Sequence, residues 1–177
     1  AIVSDETVVK VINVKDNHKI MNLQSQSQSD RHLAFHPTGI IIAEEPELVK
    51  KVNGIINAMD EESEACWKIA WHPDGRAFAA QTPTRDIIVV DQAKWETRKT
   101  FASGHAGDIT DFACSPNGTL LASAGTDGKL VIWEMEEQPV VVKYDYRHIV
   151  SLAWHSKHNV ISFTTRRGEL YTLPNQN

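Results

Sequence analysis

The sequence predicts an all-β chain built from repeated four-stranded units, and three observations carry that prediction. One frame recurs four times: LAFHPTGIIIA from Leu33, IAWHPDGRAFAA from Ile69, FACSPNGTLLAS from Phe112 and LAWHSKHNVISF from Leu152. Its anchors, Pro37, Pro73, Pro116 and Ser156, stand 36, 43 and 40 residues apart, close to the ~40–45 residue period of a repeated supersecondary unit. The frame also reads as strand, turn, strand. Ser115-Pro116-Asn117-Gly118 is a turn sequence, and Thr126-Asp127-Gly128 places Asp-Gly between two apolar runs, a strong hairpin signal. Finally, the 177 residues are 41% hydrophobic and 23% charged, an ordinary globular composition that can bury a core.

The best-formed unit runs from Gly104 to Trp133. Ile109 to Cys114, Leu120 to Ala124 and Lys129 to Trp133 are its three strands. Its Gly-His start, its Asp-Gly turn and its Trp end resemble the WD-repeat signature of a propeller blade. In that family a His, a Ser or Thr, an Asp and a Trp form one hydrogen-bonded chain across the strands. Carried over by position, these are His105, Ser123, Asp127 and Trp133. A buried Asp or His is costly unless paired, and such a chain pairs each with the next. The set also looks like a catalytic Ser-His-Asp group. The residues sit at repeat positions, however, and no oxyanion-hole sequence accompanies Ser123, so a structural role is expected.

The fold expected is therefore a partial WD-repeat β-propeller of about four blades, one lacking a strand. Residues 1–28 read as the remnant of a preceding blade, with strands at Thr7 to Val14 and Lys19 to Leu23. Gln24 to Ser29 is a polar low-complexity loop. The first anchored blade, about 30–52, is short. In the next two blades 28 residues separate the anchor Pro from the end of the outer strand, at Phe101 and Tyr144, but only 15 separate Pro37 from Val52. A hairpin turn and the third strand are missing there. Residues 53–64 form an acidic connection, read as a solvated loop with an acidic docking segment as the alternative. Blades then follow at about 67–101, 104–144 and 149–173. The first of these turns at Thr82 to Asp86 and lacks a closing Trp. The last turns at Arg167-Gly168, with Tyr171 expected where Trp133 sits. An open arc leaves unpaired edges and uncovered faces, so the isolated chain is expected to be marginal, oligomeric or aggregation-prone.

Net charge is −5, which argues against nonspecific nucleic-acid binding by the chain as a whole. Two cysteines, Cys66 and Cys114, are too few for a disulfide framework, and a reduced compartment is expected. No apolar run is long enough to cross a membrane, and the first residues lack the pattern of a signal peptide. The chain does not begin with Met and reads as an internal piece of something longer. His36, His72 and His155 share one repeat position and cannot converge on one metal ion. No phosphate loop, CxxC pair or HExxH is present, so neither cofactor nor metal is expected.

Binding is the function the loops suggest. Arg85, Arg166 and Arg167 lie in turns between second and third strands, and Tyr144, Tyr146 and Arg147 lie in a loop expected on the same face. This collection suits an acidic or phosphorylated peptide, or a nucleic-acid backbone. The alternative is a solvated surface whose arginines pair with Asp86, Asp145 and Glu169.

Cys66 to Leu173 is similar to one family in particular. CWKIAWHPDGRAFAAQTPTRDIIVVD, TLLASAGTDGKLVIWE and IVSLAWHSKHNVISFTTRRGELYTL resemble the closing blades of the amino-terminal propeller of a replisome adaptor. The family is variously called chromosome transmission fidelity, minichromosome loss or acidic nucleoplasmic DNA-binding protein, and a fungal member is expected. The resemblance implies a nuclear, chromatin-associated, non-enzymatic protein that couples the replicative helicase to DNA polymerase alpha in replication, cohesion and repair. It also implies a homotrimer, formed through a second propeller that has no counterpart in this sequence. A generic WD-repeat scaffold for another complex and a propeller hydrolase are the rival readings.

Overall fold

Strand-forming segments separated by tight turns give a chain of small antiparallel sheets. The computed structural model describes residues 2–3, 8–12, 19–24, 37, 68–102, 104–136, 142–158 and 160–174. Among these residues there are fourteen strands and no helix. β1 (Ile2–Val3), β2 (Val8–Ile12) and β3 (Lys19–Gln24) form an antiparallel sheet in chain order. Apart from Pro37, the shortened blade expected at 30–52 lies outside the described residues, as does the acidic connection at 53–64.

Three further sheets follow the repeat. β4 (Ile69–Trp71), β5 (Ala77–Gln81), β6 (Ile87–Asp91) and β7 (Glu96–Phe101) make a four-stranded meander. β8 (Ile109–Cys114), β9 (Leu120–Gly125), β10 (Lys129–Glu134) and β11 (Val142–Asp145) make a second. β12 (Ile149–Trp154), β13 (Val160–Thr165) and β14 (Leu170–Pro174) make a three-stranded third. For brevity these are the second, third and fourth blades. Sheet packing sets the first strand of each beside that of the next, with β8 between β4 and β12.

Register shows which residues are equivalent. Phe78 pairs with Val90, Leu121 with Trp133 and Ile161 with Leu173. The position of Trp133 is thus held by Leu173 in the fourth blade, correcting the expectation that Tyr171 stands there. Tyr171 pairs instead with Phe163, as Val131 pairs with Ser123.

The period of two along each strand deals side chains alternately to the two faces of a blade. Along β9 and β10, Leu121, Val131 and Trp133 join Ala77, Ala79, Ile87, Val89 and Phe101 in a core between the second and third blades. Ala122, Ala124 and Leu130 turn the other way, joining Ile149, Leu152, Ile161 and Phe163 between the third and fourth. The second and third blades are therefore apolar on both faces, which explains their nearly continuous apolar runs, whereas the far face of the fourth carries Ser162, Thr164 and Thr172 beside Leu170. At the end of the arc this leaves uncovered surface. Leu170 is 70% exposed although its register counterparts Leu130 and Ile87 are both fully buried.

Polar ties cross the same seams. Thr110 Oγ1 donates to the Ile149 carbonyl at 2.7 Å, Trp154 Nε1 to the Ala113 carbonyl at 3.0 Å, and Lys99 Nζ to the Glu134 carbonyl at 2.9 Å. His72 Nε2 lies 3.0 Å from the Gly118 carbonyl and must be the donor. Asp111 reaches furthest. Its carboxylate accepts from Lys68 Nζ ahead of the second blade, and from Ser151 Oγ at 2.9 Å and the Leu152 amide at 2.8 Å in the fourth. Burial pushes the Lys68 ammonium down to about 8, so it remains protonated at neutral pH and answers the buried carboxylate.

Removing one partner of such a pair leaves the other charge uncompensated, which costs about 3–5 kcal/mol. Asp111→Ala is expected to destabilise the chain on that scale, whereas Ser151→Ala loses a single bond of about 1–2 kcal/mol. Urea unfolding midpoints of the two variants give the comparison, and equal midpoints would remove Asp111 from its bridging role.

Candidate functional site

The third blade places four polar residues of distant sequence position in one line. Gly104 and His105 precede β8, Ser123 lies on β9, Asp127 in the β9–β10 turn and Trp133 on β10. Trp133 Nε1 donates to Ser123 Oγ at 2.9 Å, and Ser123 Oγ lies 2.7 Å from His105 Nε2. His105 Nδ1 lies 3.1 Å from Asp127 Oδ1. A carboxylate can only accept, so Nδ1 carries the proton and Nε2 accepts from the serine hydroxyl. All donors thus point one way, from indole through hydroxyl and imidazole to carboxylate.

Asp127 is further held by the Ala106 amide at 2.8 Å and the Lys129 amide at 3.1 Å. Burial would raise its carboxyl, but the Ala106 amide, the His105 ring and the Lys129 amide together hold it below the usual carboxylate value. Gly104 is required by the same arrangement: any Cβ there would overlap the Trp133 ring.

The geometry superficially matches a nucleophile, base and acid. Ser123 is fully buried, however, and its oxygen already accepts from the indole. Its hydroxyl has no approach for a substrate, and the line acts as a strut joining β9, β10 and the loop before β8 to the turn. Among the described residues the fourth blade has no such line, and Phe163 takes the register place of Ser123. An aromatic cluster fills that interior instead. The Tyr146 ring packs edge-on to Phe163 at 4.7 Å and against Tyr171 at 4.9 Å, while Phe163 stacks on Tyr171 at 5.3 Å.

This cluster revises the expected binding face. Tyr144 belongs to β11 and not to a loop, and both Tyr144 and Tyr146 pack against the core between the third and fourth blades. Arg85 occupies the turn position of Gly128, with φ 66° against 79°. It does not pair with Asp86. Its Nε donates to Asp108 at 3.1 Å across to the third blade. Glu169 accepts from Thr165 Oγ1 at 3.0 Å within its own turn. Arg147, Arg166 and Arg167 are exposed, and the turn bearing the last two is tied to the loop bearing the first by the Arg166 amide donating to the His148 carbonyl at 3.0 Å.

The bridging role of Asp111 has a sequence signal: an acid inside the apolar run ITDFAC. Among the described residues no group of three His, Cys, Asp or Glu is placed to hold a metal ion. Burial, followed by the charge of Asp74, pushes the Cys114 thiol up to about 12, as befits a packing residue and not a nucleophile.

Ser123→Ala would remove the hydroxyl that links His105 Nε2 to Trp133 Nε1, an expected loss of about 1–3 kcal/mol, read by thermal unfolding. The Asp127 shift carries a pH signature as well. Its folded pKa lies below the unfolded value of about 4, so the unfolded state binds more protons in acid. Its stabilising contribution is complete above the unfolded value and is lost as pH falls through the folded one. Urea midpoints followed from neutral pH into acid should fall less steeply in Asp127→Asn than in the wild type, from a lower starting point.

Comparison with known proteins agrees with this architecture. The family described as WD domain, G-beta repeat matches residues 95–134, which hold the whole strut. Minichromosome loss protein 1 of Schizosaccharomyces pombe is 33% identical over 98% of this chain, and WD repeat and HMG-box DNA-binding protein 1 of Homo sapiens is 22% identical over 97%. The chain spans 23% of the first and 17% of the second. The β-propeller domain of Cps50 (Swd1) from Myceliophteria thermophila shares the fold, with a TM-score of 0.53 at 13% identity over 66% of this chain and 38% of that one. Strands that repeat blade by blade make this sequence part of a WD-repeat propeller, related along almost its whole length to minichromosome loss protein 1.

Proposed function

We propose that the chain is a non-enzymatic interaction module of a DNA-replication adaptor, working in the nucleus on chromatin and linking the replicative helicase to DNA polymerase alpha. The observation that carries this reading is the chain-long similarity to a relative whose name records minichromosome loss. The name of the human relative, which records DNA binding, supports it further. The buried, indole-bound Ser123 supports a binding role over a hydrolytic one. Roles in repair, cohesion and the mitotic cycle belong to the same proposal, as does trimer formation through another part of the protein.

The test uses the full-length protein that contains this chain, tagged in replicating cells. Recovery on S-phase chromatin together with the helicase and DNA polymerase alpha is expected. Recovery with a different nuclear or cytoplasmic complex, and without either replication enzyme, would establish a general scaffold instead.

A further inference from the structure

The third and fourth blades use the same turn for different purposes. In the third, Asp127 is turned inward and bound to His105, Ala106 and Lys129. Register puts Arg167 in the corresponding place of the fourth blade, one residue before the turn glycine, as Asp127 precedes Gly128. No polar strut needs it there, because the Tyr146, Phe163 and Tyr171 rings fill the interior. The turn residues are thereby freed from structural duty, and both are arginine.

The corner is also rigidly built. The Tyr146 amide donates to the Gly128 carbonyl at 2.6 Å, which seats the connecting loop on the third-blade turn. A Cβ on Gly128 would collide with the Tyr146 carbonyl. The Arg166 amide closes onto His148, the Gly168 amide onto Thr165 at 2.9 Å and the Thr165 amide onto Glu169 at 3.0 Å. Arg147, Arg166 and Arg167 project from this frame. Among the described residues none of the three has an ion pair or a side-chain hydrogen bond. The carboxylates that could neutralise them are engaged or face elsewhere. Asp127 is held in the strut, Glu169 accepts from Thr165, and Asp145 stands opposite Lys129 across the β10–β11 ladder.

We propose that Arg147, Arg166 and Arg167 form a docking corner for a short peptide segment bearing clustered negative charge. Guanidinium forks bind carboxylate and phosphate groups bidentately, so glutamate-rich and phosphoserine peptides share the recognised chemistry. A nucleic-acid backbone fits less well. The tyrosines that could stack on bases are partly buried against the core between the blades, Asp145 and Glu169 each lie two residues from an arginine in sequence, and the net charge is −5. A duplex is held by a row of phosphate contacts, not by a single corner.

The inference rests on reading the chain as an interaction module. The assay on the purified chain is nevertheless separate from chromatin recovery, so either can fail alone. Fluorescence anisotropy of the 177-residue chain is measured with a labelled glutamate-rich peptide, a phosphoserine peptide, its unphosphorylated form and duplex DNA, each across a salt series. Saturable binding of at least one anionic peptide is expected, weakened about tenfold or more in R166E/R167E, from the loss of charge-assisted hydrogen bonds. Arg147→Glu should weaken it in the same sense, and Arg166→Lys with Arg167→Lys should retain part of it. Arg85→Gln, whose wild-type side chain is engaged with Asp108, should leave it unchanged. Which anionic peptide binds better identifies carboxylate or phosphate as the group recognised. The proposal is overturned if neither anionic peptide binds, if R166E/R167E binds as the wild type does, or if duplex DNA binds more tightly with the same arginine dependence. Circular dichroism of each variant confirms that these surface changes leave the sheets intact.

Discussion

The carboxylate of Asp111 is the point on which the arc of blades depends. Apolar faces drive blades together but fix their relative position only loosely, because dispersion and burial carry little direction. A buried carboxylate is directional and intolerant of slippage. Asp111 engages an ammonium on one side, and a backbone amide with a hydroxyl on the other. A shift of either neighbour along the seam would strand the charge, so the position of three successive first strands is set at one residue. The apolar cores then fill the seams that this bridge and the Thr110, Trp154 and Lys99 ties have aligned.

Much of this was legible in the sequence because blades announce themselves locally. The anchor spacing, the Ser-Pro-Asn-Gly and Asp-Gly turns and the position of Trp133 relative to His105 all follow from short-range rules, and the strands fall where those signals put them. What escaped was long-range or degenerate. Tyr171 and Leu173 lie on the same face of β14, so a slip of two residues leaves the apolar pattern unchanged, and only the pairing with Ile161 reveals the true counterpart of Trp133. The ligands of Asp111 are 40 or more residues away in sequence. Arg85 finds Asp108 across a blade boundary while a nearer acid, Asp86, stands beside it in the sequence. The tyrosines at 144 and 146 read as surface aromatics in a charged loop, but Tyr144 holds the register place of Phe101 and the Tyr146 ring packs on Phe163 and Tyr171.

Two neighbouring blades therefore solve one problem by different chemistry. The third holds its strands to its turn with an ordered line of hydrogen bonds, every member of which is needed for the others to be satisfied. The fourth uses stacked and edge-on rings, which need no partner at the turn. A hydrogen-bonded interior ties the identity of the turn residues to the fold. An aromatic interior releases them, and surface chemistry can diverge there without disturbing the strands beneath.

The His72 ring and the Gly118 carbonyl, 3.0 Å apart, bear on how the chain is assembled. The ring stands in the hairpin turn of one blade, and its acceptor in the corresponding turn of the blade synthesised directly after it. Asp111 toward Leu152 and Thr110 toward Ile149 run in the same order. Each finished sheet thus presents the groups its successor will meet, and the arc can grow in the direction of translation, blade upon blade. Nearest-neighbour propagation of this kind is the habit of repeat proteins. It keeps apolar seams from standing open for long while the chain leaves the ribosome.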